Sequence, residues 1–80
     1  MASRDDLETW LQAALIAIGG KGRVVDVCKE VWDQHETELR KSGGLFYTWQ
    51  YDIRWAANRL RRKKKMKPVE ISPAGLWELV

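Results

Sequence analysis

Leu7, Trp10, Leu11, Ala14, Leu15 and Ile18 recur at steps of three and four residues, the spacing that gathers apolar side chains on one helix face. The pattern predicts a first helix over about residues 4–18. Ser3, with Asp6 three positions on, supplies a start signal. Asp5, Asp6 and Glu8 suit the positive end of the helix dipole, and Gly19-Gly20 can supply a left-handed exit. The following "GGKG", Gly19 to Gly22, lacks the spacing and the Lys-Ser/Thr pair of a phosphate-binding loop and reads as a turn. Val24, Val27, Cys28, Val31, His35 and Leu39 then repeat with helical spacing among Asp26, Lys29, Glu30, Asp33 and Glu36, which predicts a second helix over about 24–40.

Ser42, Gly43 and Gly44 break this pattern, and Leu45-Phe46 read as a short strand segment or a packed loop. A third helix is predicted over about 48–63, with Trp49, Ile53, Ala56, Ala57 and Leu60 facing inward. Gln50, Tyr51, Arg54, Asn58, Arg61 and Arg62 fall outside or at the boundary, giving an outer face that is polar, aromatic and cationic. "MKPVEI" and "LWELV" alternate around "SPAG", which predicts a terminal β-hairpin over about 66–80 with Trp77 and Leu79 on one side. The expected fold is mainly α with a small β-hairpin, in a single domain spanning 1–80.

Charge changes the picture of the third helix. Residues 1–53 hold six Lys/Arg against nine Asp/Glu, whereas residues 54–67 hold eight Lys/Arg and no acid. Cations at a helix C-terminus gain from the dipole, which accounts for one or two of them. The remainder repel one another unless an anionic partner offsets them, so the run points to a polyanion meeting one face. Leu60 and Met66 bracket it as apolar anchors, which makes it part of the fold and not a tail.

The order helix, helix, helix, hairpin is that of a winged helix-turn-helix domain, in which the third helix is presented to the DNA major groove. Trp49-x3-Ile53-Arg54-Trp55-Ala56-x3-Leu60, followed by a basic turn and Gly75-Leu76-Trp77-Glu78-Leu79, resembles the winged-helix domain at the N-terminus of Mrr-type restriction endonucleases and related restriction-associated proteins. In that family the third helix carries a V/I-R-W-A-like signature and the second wing strand ends in G-x-W-x-L-T; Val80 stands here in place of the threonine. Relatives place a small residue and Gly after the helix 3 leucine. Here Lys63-Lys64-Lys65 occupy the turn, and a Lys in a left-handed position costs stability relative to Gly.

The resemblance and the charge together predict duplex DNA binding through helix 3 and the basic turn. Arg54, Arg61, Arg62, Lys63, Lys64, Lys65 and Lys67 are the expected phosphate contacts, and Gln50, Tyr51, Arg54 and Asn58 the expected base-reading side chains. Asp52 and the acidic second helix should face away from the duplex. The rival reading is a protein-interaction or dimerisation module of a larger restriction- or phage-related system, its exposed patch formed by Trp32, Tyr47, Tyr51 or Trp55. Under that reading the partner is a second copy or a larger protein.

Catalytic chemistry is not expected. One Cys and one His cannot supply the usual ligands of a zinc site, and no carboxylate pair or nucleophile beside a base stands out. No cofactor, metal or small-molecule substrate is expected, nor the nuclease domain of full Mrr-type proteins. Cys28 reads as a buried inert thiol and His35 as a packed or boundary residue. Trp10, Trp49 and Trp77 are assigned to the core. Trp32 and Trp55 are assigned to its boundary, with an exposed interface role as the alternative. A lone cysteine, an acidic N-terminus and the lack of an apolar run of about 20 residues point to a cytoplasmic protein without a membrane span.

Overall fold

Among the described residues of the computed structural model, 2–71 and 75–80, the chain forms α1 (Arg4–Ala17), β1 (Lys21–Arg23), α2 (Val24–Arg40), α3 (Gly44–Arg62) and β2 (Leu76–Glu78). None of these helices is long and apolar enough to cross a membrane. Leu7, Leu11 and Leu15 of α1, Val27, Val31 and Leu39 of α2, and Ile53 and Leu60 of α3 are fully buried in one core, as their periodicity predicts. Met66 is buried with them, so both anchors of the basic run hold.

Two helix exits use the same device with different residues. At the end of α1 the Gly20 amide donates to Leu15 O at 2.7 Å and the Gly19 amide to Ile16 O at 3.2 Å, with Gly19 at φ +100°. At the end of α3 the Lys65 amide donates to Leu60 O at 2.9 Å and the Lys64 amide to Arg61 O at 3.0 Å, with Lys64 at φ +61°. Both are paired closures around a left-handed residue. A side chain in that conformation is disfavoured by roughly 1–2 kcal/mol. Replacing Lys64 by Gly is therefore expected to stabilise the fold by about 1 kcal/mol. Chemical denaturation should show a higher midpoint with an unchanged slope; an unchanged midpoint would mean that the turn does not strain Lys64.

The secondary structure departs from the sequence reading in three places. Helix α3 begins at Gly44, so Leu45 and Phe46 belong to its first turn and not to a strand or loop. Gly43, at φ +60°, completes the chain reversal, and the partly buried Leu45 already packs on the core.

The "GGKG" stretch is only half a turn, because Gly22 lies inside β1. A Cβ there would stand 2.6 Å from Ile18 Cδ1, so the absent side chain lets this strand lie close over the end of α1.

The terminal hairpin is also reduced. Strand β2 pairs antiparallel with β1 in the register Lys21 to Glu78, Gly22 to Trp77 and Arg23 to Leu76. The first predicted hairpin arm contributes a single bridge, Met66 to Leu79, together with the Lys67 amide donating to Glu78 O at 2.9 Å. Pro68 has no amide hydrogen with which to continue a ladder, and the Ile71 amide instead turns back to Pro68 O at 3.0 Å. The tip predicted at "SPAG" falls largely on residues 72–74, outside the described set.

Trp49 and Trp77 are buried, as expected. Trp10, expected in the core, is half-buried and packs against it, stacked on His35 with ring centroids 3.9 Å apart and planes 7° from parallel. Helix α2 bends at His35, whose backbone leaves helical geometry at φ −131°.

Candidate functional site

The outer face of α3 carries Tyr47, Gln50, Tyr51, Arg54, Asn58 and Arg62, all exposed. Helical spacing puts Tyr47, Tyr51, Arg54 and Asn58 in one stripe, opposite the buried Trp49, Ile53 and Leu60. Tyr47 and Tyr51 are 84% and 78% exposed. The four base-reading candidates, Gln50, Tyr51, Arg54 and Asn58, therefore share a face. Asp52 lies off it and accepts a 2.8 Å hydrogen bond from Thr48 Oγ1.

The seven phosphate candidates divide into two groups. Arg54, Arg62, Lys64 and Lys65 are exposed and, among the described residues, take part in no ion pair. The other three are engaged. Lys63 Nζ donates to Glu8 of α1, Lys67 Nζ donates to Glu78 at 3.1 Å, and Arg61 Nε donates to Lys67 O at 3.2 Å. Arg61 and Lys67 thus tie the end of α3 to the segment that follows it. The turn is held from both sides, and Lys64 and Lys65 project from it.

Arg59 was absent from the expected contacts and proves central to the arrangement. Its Nε donates to Glu8 Oε1 at 2.7 Å, and its guanidinium lies 5.0 Å from the Trp55 ring centroid, with Arg4 at 4.1 Å from the same ring. Its place one helical turn before Lys63 was visible in the sequence. Its partner, 51 residues away on α1, was not.

Lys63 first and then Arg59, by hydrogen bonding to the Glu8 carboxylate, hold it below the usual carboxylate range. A carboxylate lowered in the folded state adds stability above its unfolded pKa, and that contribution is lost as the pH falls through the folded value. Stability should therefore decline as the pH drops below the usual carboxylate range. Glu8→Gln should flatten that decline in denaturation midpoints measured from pH 6 down to about pH 3. An unchanged pH profile in the variant would count against the Glu8 bridge.

Trp32 and Trp55 are half-buried boundary residues. Trp32 stacks on Trp49 at 6.0 Å and meets Arg40 at 5.2 Å. Between α2 and α3, Val25, Cys28, Trp32, Phe46, Trp49 and Gln50 line a groove of about 550 Å³. Cys28 is half-buried there and not fully enclosed. Burial pushes its thiol pKa up, against the opposing charge of Arg54.

No family model, curated protein or solved structure matches the chain.

Proposed function

We propose that this is a small winged-helix DNA-binding protein that lays the outer face of α3 along duplex DNA and sets the basic turn against backbone phosphates. The observation that carries the reading is the fixed position of that turn. Leu60 and Met66 are buried at its two ends while Lys64 and Lys65 stand exposed between them, just after Arg62 at the end of the helix that carries Tyr51, Arg54 and Asn58. Cations held at one edge of a rigid element present charge without first ordering a loop, which lowers the entropy cost of binding. The three helices and the small two-stranded antiparallel sheet are compatible with a winged helix. On this reading the protein catalyses nothing itself.

Affinity comes mainly from phosphate contacts, and Gln50, Tyr51, Arg54 and Asn58 are the groups able to reach base edges. A second reading, a protein-docking module, is favoured by the apolar groove between α2 and α3, with Val25 60% exposed at its rim. Amide chemical shifts during a titration with a generic duplex separate the two. Duplex binding on α3 should move Tyr51, Arg54, Asn58 and residues 62–65 and leave Val25, Cys28 and Trp32 in place; the reverse distribution would favour the docking module.

A further inference from the structure

Beside the outer stripe of α3, on the flank that faces α1, Arg59, Arg62 and Lys63 line a small pocket of about 170 Å³. Among the described residues these three alone line it. We propose that this pocket seats one phosphate group of a nucleic acid, either an internal backbone diester or a terminal monoester.

The pocket is built and not merely crowded with charge. Glu8, only 15% exposed, takes Arg59 Nε and Lys63 Nζ, so both side chains are drawn to one point across the α1–α3 seam. Trp55 lies against the Arg59 guanidinium. With its Nε committed, Arg59 still offers the donors on its two terminal nitrogens, and Lys63 keeps two of its three. Arg62 makes no ion pair among the described residues and retains its whole fork. Three cations against one carboxylate leave the pocket with an excess of two positive charges, and planar guanidinium forks match the oxygens of a phosphate. A loose cluster of lysines would attract the same anion without this geometry.

The proposal rests on the nucleic-acid reading for the source of the phosphate but not for its chemistry, and the test keeps the two apart. Arg62 and Lys65 are both exposed and, among the described residues, in no ion pair, so Arg62→Gln and Lys65→Gln remove equal charge at little risk to folding. Duplex affinity by fluorescence anisotropy should fall about tenfold in Arg62→Gln, the loss of a charge-assisted bidentate contact, and about two- to threefold in Lys65→Gln. Arg62→Lys, which keeps the charge and loses the fork, should also weaken binding several-fold, whereas Lys65→Arg should not. Equal losses in the two Gln variants, with Arg62→Lys like the wild type, would overturn the seat.

Running the series on duplexes with 5′-phosphate and with 5′-hydroxyl ends assigns the source. A loss on both means an internal diester, and a loss confined to the phosphorylated duplex means the terminal group. Independently, inorganic phosphate should shift the side-chain Nε resonances of Arg59 and Arg62 more than chloride does at matched ionic strength; equal shifts would also overturn the proposal. If wild-type protein binds no duplex and phosphate still moves those resonances, the duplex reading fails and the seat stands.

Discussion

Replacing Trp77 by Ala should cost about 3–5 kcal/mol of stability, the range for removing a large buried aromatic from a packed core. Trp77 stands at the centre of β2, opposite Gly22 of β1, and is only 5% exposed. Eighty residues support a total of about 4–12 kcal/mol at the usual 0.05–0.15 kcal/mol per residue, so the substitution removes a large share of the stability and unfolds the variant at 25 °C if the total lies at the lower end of that range. Trp77→Phe keeps most of the apolar volume and should lose markedly less. Because Glu78 O accepts the Lys67 amide and Lys65 O accepts the Val80 amide at 3.1 Å, loosening β2 also releases the far side of the basic turn. Urea unfolding followed by circular dichroism reads the effect directly. A Trp77→Ala midpoint within about 1 kcal/mol of wild type would mean that the small sheet contributes little to the core.

The largest effect on binding is expected from the cations that no carboxylate holds. The triple replacement Arg62→Gln, Lys64→Gln, Lys65→Gln removes three side chains that are exposed and, among the described residues, in no ion pair, so the core and the Glu8 bridge should survive it. If each neutralises one phosphate, the triple variant loses about 2.7 from the magnitude of the log–log salt slope, at about 0.9 per contact. Over a fourfold rise in salt, wild-type affinity would then fall about fortyfold more than that of the variant. The triple Lys63→Ala, Lys64→Ala, Lys65→Ala is a less clean experiment, because Lys63 is a partner of Glu8 and its loss changes folding stability as well as charge. A salt slope unchanged in the Gln triple would show that the turn does not meet the duplex.

The helices were legible from the chain because an amphipathic helix writes its own period. The buried set Trp49, Ile53, Ala56, Ala57 and Leu60 needs no knowledge of what it packs against. Strand β1 was not legible, since three residues that include a glycine carry no alternation and are ordered by a partner more than fifty positions later. The same limit applied at the candidate site. The sequence placed the base-reading candidates on one face and located the basic turn, both local properties of α3. Which cations are free depends on Glu8 and Glu78, and those contacts are tertiary. Lys63 and Lys64 are neighbours in the chain, yet one closes an ion pair with α1 and the other stands in a left-handed turn toward solvent.

On the proposed function, a fixed edge of cations that take part in no ion pair among the described residues meets duplex DNA. The most direct measurement is the anisotropy of a labelled generic duplex titrated with wild-type protein at several salt concentrations. Arg54, Arg62, Lys64 and Lys65, each meeting one phosphate, predict tight binding at low salt and a log–log slope of about −3.6, the Arg62 contact being the phosphate seated in the Arg59 pocket. No binding at low salt, or binding with a slope near zero, would contradict the claim.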